Sequence, residues 1–205
     1  VEGPTTNQLV KNLRKRQQKN LLLSLFISRG VPMILMGDEI GRSQGGNNNS
    51  WCQDNILGWM TWDQKQQDLE LLNYLKYLIK LRKRFKEILN PSSLTNQKDI
   101  KNITKYYWHG TKLETPDWSS WSHTVAFSIN KDESNPLLWA GLNAYSKNID
   151  FCLPKLKGSW IKVIDTSITG ILKPYTIKDE SINIKNRSSV LIISEEVFKA
   201  KNNIF

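Results

Sequence analysis

Between residues 38 and 55 the sequence gathers several groups that could do chemistry. They are two adjacent carboxylates, Asp38 and Glu39, three consecutive amides, Asn47, Asn48 and Asn49, an indole, Trp51, and an acid beside an amide, Asp54 and Asn55. Carboxylates accept hydrogen bonds from hydroxyls, amides both donate and accept them, and an indole ring stacks on the apolar face of a pyranose. Together they suit a carbohydrate ligand. Asp38 and Glu39 do not suit the acid and nucleophile of a retaining hydrolase, because neighbouring residues of an extended segment point opposite ways. Such a pair must face one bond with its carboxyl groups about 5–5.5 Å apart. One of the two is expected to shape the floor of a cleft and the other to make an ion pair, with Arg42 as its partner. The asparagines leave two readings open: direct contact with sugar, or a loop held by its own side-chain-to-backbone bonds. Asp54 and Asn55 can brace the loop or cap a helix. Cys52 is expected to be an inert packing residue, since nothing near it supplies a general base. Of Trp51, Trp59 and Trp62, one is a candidate sugar platform, against the usual burial of such residues in a short loop.

The elements that would position this loop are legible on either side of it. Residues 5–30 read as a helix: Thr5 and Gln8 fit a capping box, Leu9, Leu13, Leu22, Leu25 and Phe26 recur near helical spacing, and Gly30 is a stop. Residues 31–36, VPMILM, form a continuous apolar run, the pattern of a strand buried on both faces of a parallel sheet. The loop would then leave the C-terminal end of a strand, where parallel α/β barrels carry their functional loops. A second helix is predicted from an N-cap at Asp63, with Gln66 three residues on. It runs through Leu69, Leu72, Leu75, Ile79 and Leu81 to Phe85, and Asn90 and Pro91 stop it. Beyond, seven short apolar or alternating runs at 105–108, 124–129, 137–143, 149–153, 160–164, 175–177 and 190–193 are separated by turn residues, the signature of an antiparallel β-sandwich. The fold class is therefore α/β followed by all-β, with domains at 1–92 and 93–205. Helix, strand, loop and helix cannot close a parallel sheet, so the first block reads as the last piece of something larger.

Composition narrows the classes. The chain has 205 residues, 39% hydrophobic, 10% aromatic and 23% charged, an ordinary globular balance that excludes disordered, collagen-like and coiled-coil classes. No run approaches the roughly 18 apolar residues of a membrane span, and no membrane partner is expected. The first residue is Val1 and no signal pattern follows, so the chain is either processed or part of a longer one. Two cysteines, Cys52 and Cys152, and two histidines, His109 and His123, make no metal-binding spacing, and there is no phosphate-binding loop. No metal site and no cofactor are expected, and both histidines read as structural. The cysteine usage suits a reducing compartment, cytoplasmic, or plastid in a photosynthetic eukaryote. A net charge of +10 raises an anionic partner. The basic runs KNLRKRQQK and KLRKRFK lie inside leucine-periodic helices, however, where they read as solvated faces. No nucleic acid partner is expected.

The stretch GVPMILMGDEIGRSQGGNNNSWCQDN (residues 30–55), with EGPT (2–5) and RQQKN (16–20) before it, resembles the isoamylase and glycogen-debranching branch of the α-amylase superfamily, glycoside hydrolase family 13. In the second block WHG (108–110), PDW (116–118), TVAF (124–127), NAY (143–145), Trp160, DT (165–166) and RSSVLI (187–192) resemble that family's C-terminal β-sandwich. The resemblance implies the end of a (β/α)8 TIM barrel, its last helix, strand and helix, followed by the sandwich. It also implies a hydrolase that cleaves α-1,6 branch linkages of glycogen, amylopectin or limit dextrin by retaining chemistry on three carboxylates. The family carries those carboxylates before the EGPT motif, so no catalytic residue is assigned here. Asp38, Glu39, Asn47, Asn48, Asn49, Trp51, Asp54 and Asn55 are the substrate-binding candidates, and the remainder of the barrel is the expected partner. Different roles follow if the chain acts alone: a non-catalytic glucan-binding or partner subunit, or an inactive split-gene remnant.

Overall fold

The computed structural model describes residues 3–60, 62–63, 68–89 and 104–200. The alternating apolar runs of the C-terminal half form strands β1 (Lys105–His109), β2 (Thr124–Asn130), β3 (Pro136–Asn143), β4 (Ile149–Cys152), β5 (Trp160–Asp165), β6 (Tyr175–Ile177), β7 (Ser181–Ile184) and β8 (Ser188–Ser194). Six of them make one antiparallel sheet in the order β1-β2-β3-β8-β5-β6, and β4 pairs with β7 in a second. All seven predicted strands are present, with ends displaced by at most two residues. The eighth, β7, was not predicted, nor was the closing helix α4 (Glu195–Ala200). The SINI sequence of β7 alternates over only four residues, and it is pairing with β4 that makes it a strand.

The two sheets enclose a core that includes Trp139, Phe151, Trp160, Ile184 and Ile192. Gly141 makes room for it, since a Cβ there would sit 2.4 Å from the Trp139 ring and 2.6 Å from Ile184. Helices α1 (Gln8–Ile27), α2 (Leu69–Arg84) and α3 (Lys86–Leu89) cover the opposite face of the larger sheet. Leu23, Phe26, Leu75 and Leu78 there join Phe127, Ala140, Val163 and Leu191 in one cluster. The described chain is thus three layers: helices, a six-stranded sheet and a two-stranded sheet.

Several local expectations need correction. The cap of α1 is Asn7 rather than a Thr5/Gln8 box: its Oδ1 accepts from the N–H of Leu9 (2.9 Å) and Val10 (3.3 Å), while Thr5 Oγ1 accepts from Asn7 N–H in a turn before the helix. At the other end Arg82 reaches across from α2 and donates to the carbonyls of Phe26, Ser28 and Gly30, satisfying the last turn of α1. Helix α2 starts at Leu69 with Asp68 as N-cap, not at Asp63. Asp68 accepts from Leu71 N–H at 3.0 Å, and its own N–H is tied to Ile40 O. Its buried ridge is Leu71, Tyr74, Leu75, Leu78 and Leu81, which leaves Leu69 and Ile79 exposed on the other side. Residues 31–36 form no strand: Val31 is 90% and Met33 86% exposed. A strand needs a neighbouring strand for its N–H and C=O groups, and among the described residues none pairs with this segment. Gln66, the Asn90–Pro91 stop and the 92/93 boundary lie outside the described residues.

Candidate functional site

The loop after residue 36 is folded by its glycines and by Arg42. Gly37 (φ 102°) and Gly41 (φ 71°) bracket a single 3-10 turn, Asp38–Ile40, in backbone conformations that glycine adopts without strain. A Cβ on Gly37 would lie 2.6 and 2.8 Å from Arg42 side-chain carbons, so the arginine packs where a larger residue would sit. Arg42 N–H donates to Gly37 O at 2.9 Å, and its guanidinium donates to Leu57 O (3.0 Å) and Gly58 O (2.8 Å). One side chain therefore ties the start of the loop to its end. The expected ion pair of Arg42 with Asp38 or Glu39 is replaced by this strap. Glu39 instead accepts from Gly37 N–H at 2.7 Å, bracing the turn, and Asp38 is exposed.

The amides form two local networks. Asn47 Oδ1 accepts from Asn49 N–H (2.9 Å) and Asn49 Oδ1 from Trp51 N–H (3.1 Å), while Gln53 bonds to both asparagines. Asn48 is exposed between them. Downstream, Asn55 Oδ1 accepts from Leu57 N–H (2.9 Å), and Asp54 accepts from the Trp59 indole N–H at 2.8 Å. That last bond was invisible in the sequence, since a five-residue spacing outside regular structure predicts nothing. Trp51 is 83% exposed, and Trp59 and Trp62 are exposed as well, against the expectation of burial. Cys52 is exposed, at φ 63° on the corner of the turn, so it is not a packing residue. A groove of about 660 Å³ opens beside the loop, lined by Gly3, Pro4, Arg14, Arg42, Gln44 and Asn47 among others.

Behind the loop lies a charged cluster that sequence reading assigned to a solvated face. Lys19 is buried, and its Nζ donates to Glu70 Oε1 at 2.5 Å and to Ile168 O at 3.2 Å. Lys15 bridges Asp68 (3.2 Å) and Glu70 (3.0 Å), and Gly170 N–H donates to Glu70 at 2.8 Å. Burial by itself would raise the Glu70 carboxyl, but the bonds from Lys19, Gly170 and Lys15 outweigh it and hold the group at about 2. The i, i+4 spacing of Lys15 and Lys19 opposite two acids was the available signal.

The family-like motifs turn out to touch one another. Arg16 donates to Asn186 O (3.1 Å) and Asn20 to Arg187 O (2.9 Å); Thr166 donates to Asn20 Oδ1 (2.5 Å) and accepts from Ser189 N–H (2.8 Å). RQQKN, DT and RSS are thus one seam joining α1 to the sandwich. His109 is buried, with Nδ1 accepting from Glu114 N–H and Nε2 donating to Ser128 Oγ at 3.0 Å. Burial pushes its imidazole below the usual pKa. Of the sandwich tryptophans, Trp139 and Trp160 are core, whereas Trp108, Trp118 and Trp121 are exposed. Among the described residues no cluster of three metal-binding side chains occurs, and no helix is long and apolar enough to cross a membrane.

Residues 107–203 match the family model of the C-terminal domain of isoamylases 1–3. The chain is 36% identical over 166 residues to isoamylase 1, chloroplastic, of Oryza sativa subsp. japonica, covering 80% of this chain and 20% of that one. It is 34% identical over 161 residues to a glycogen debranching enzyme of Dickeya chrysanthemi, covering 78% of this chain and 23% of that one. The fold is similar to pullulanase type I from Bacillus subtilis str. 168, solved with maltose, at a TM-score of 0.65 and 21% identity, covering 93% of this chain and 24% of that one. The chain thus spans about a fifth to a quarter of the length of the proteins it matches.

Proposed function

Because the chain belongs to the isoamylase and glycogen-debranching family, as a C-terminal portion of it, we propose that it completes a longer glycoside hydrolase that cleaves α-1,6 branch linkages of glycogen or starch. The cleavage is retaining, on carboxylates carried upstream of this span. Residues 1–92 are the closing helix, strand and helix of a (β/α)8 barrel, and residues 93–205 are the sandwich that braces it. The observation that supports this reading most is the bare apolar strip at residues 31–36, unpaired here and with the composition of a strand that neighbouring strands would bury on both faces. Leu69 and Ile79 of α2 and Leu9 and Leu21 of α1, exposed away from the sandwich, support the same docking.

In that frame the loop at residues 37–59 opens on the catalytic face, as the loops that follow barrel strands do. Asp38, Asn48 and Trp51 offer exposed groups to the glucan, while Glu39, Asn47, Asn49, Asp54 and Asn55 hold the loop in shape. The partners are a branched α-glucan and the upstream barrel, in the cytoplasm or a plastid. The test is to assay the 205-residue chain and the full enzyme side by side for release of linear maltooligosaccharides from glycogen. Hydrolysis by the full enzyme alone is expected. Hydrolysis by the 205-residue chain, or none by the full enzyme, overturns the reading.

A further inference from the structure

We propose that the sandwich carries a second α-glucan contact, separate from the loop at residues 37–59, built on the indole rings of Trp108, Trp118 and Trp121. The inference rests on the debranching reading for the identity of its ligand. Trp118 is 66% and Trp121 76% exposed, and Trp108 is half exposed on the edge strand β1. Trp108 and Trp118 pack edge to face with centroids 5.4 Å apart, and Trp108 leans on Phe127 at 5.5 Å. The two rings are therefore held in place before any ligand arrives, and stacking a sugar on them costs little rotamer freedom.

The surroundings are those of a sugar platform. The 110–123 connection is rich in hydroxyls, with Thr111, Thr115, Ser119, Ser120 and Ser122, and is folded on itself: Asp117 Oδ1 accepts from Ser119 N–H, and Ser119 O from Ser122 N–H, both at 3.0 Å. Indole faces among hydroxyls and a carboxylate match a ligand that is apolar on its pyranose faces and polar at its rim. The strip at residues 31–36 is different, with only apolar side chains, the chemistry of a surface another protein layer covers. The register places the platform on a particular end of the sheet. His109 pairs with Ala126 and Thr124 with Asn143, so the 110–123 connection leaves the same end as Tyr145, which stacks on His123 at 5.9 Å. Tyr145 O also accepts from Arg187 N–H, and Arg187 belongs to the seam with α1. The platform thus lies at the end of the sheet that carries the seam with α1.

The test compares the 205-residue chain with Trp118→Ala/Trp121→Ala by native electrophoresis through gels with and without glycogen. Hydroxyl-radical footprinting of the unmutated chain with maltoheptaose accompanies it. The expected result is a loss of about tenfold or more in glycogen retardation for the double variant, which removes two of the three indole faces. Maltoheptaose should protect Trp118 and Trp121. Unchanged retardation of a folded double variant, or unprotected indoles in the unmutated chain, overturns the proposal. Failure of the full enzyme to debranch would overturn the functional reading without touching these two readouts, and the two failures are distinguishable.

Discussion

At Glu70 one carboxylate serves three donors from distant parts of the chain, Lys15 and Lys19 on α1 and the N–H of Gly170 beyond β5. Removing its charge leaves the Lys19 ammonium buried without a counter-ion, a far larger loss than that of a surface pair. Glu70→Gln is expected to destabilise the chain by about 3 kcal/mol, read as a lower denaturant midpoint at neutral pH. The group also sets a pH dependence. Its folded value, about 2, lies below the ordinary 4.5, so its stabilisation is complete above about pH 4.5 and is lost as pH falls through the window down to about 2. Glu70→Gln should flatten the stability curve over that window. An equally steep curve would show that the acid limb belongs to other carboxylates, such as Asp165, which Lys162 holds at 2.8 Å.

At the scale of elements, the loop at residues 37–59 and the strip before it behave differently. The loop is an internally hydrogen-bonded unit strapped by Arg42, and Gly37 is its weak point. Gly37→Ala combines a positive φ with an overlap against Arg42, and should cost more than about 1 kcal/mol. The checks are thermal unfolding and a rise in proteolytic nicking near Trp51; an unchanged nicking pattern would argue against the strap. The strip at residues 31–36 predicts the opposite context dependence. Met33→Ser with Leu35→Ser should leave the melting of the 205-residue chain within about 0.5 kcal/mol, since exposed positions are tolerant. In the full enzyme, where the proposal buries these side chains, the same pair should cost about 2–5 kcal/mol and lower activity at elevated temperature. Equal effects in both proteins would remove the strip from the barrel.

At the scale of the molecule, the described residues make three layers with exposed apolar side chains on the helical side. The inner face of the helices is closed against the sheet by a continuous core. The outer face still shows Leu9, Leu21, Leu69 and the strip at residues 31–36, a larger apolar exposure than separate surface leucines make. By itself the chain should self-associate as concentration rises, and adding the upstream barrel fragment should convert it into a discrete complex on size-exclusion chromatography. A monomer that ignores that fragment would favour a free-standing subunit.

What the sequence determined by itself was whatever short-range pattern encodes. The seven strand runs, the two helices, the GDE-to-CQDN loop and the family they point to all depend on periodicity, turn residues and contiguous motif, and all of these can be read along the chain. The tertiary structure decided what depends on partners remote in sequence. An apolar hexapeptide stays a bare strip, with no strand pairing to it among the described residues, whereas four residues of mixed polarity became β7 because β4 lay beside them. Lys19 and Arg16, part of a basic run that reads as solvated, turned inward because Glu70, Ile168 and Asn186 supply acceptors across the α1 seam. Trp118 and Trp121 stayed out because the 110–123 connection folds on its own backbone and leaves them nothing to pack under. A side chain's burial follows from which acceptors and surfaces the fold brings to it, and residue type and spacing do not encode those.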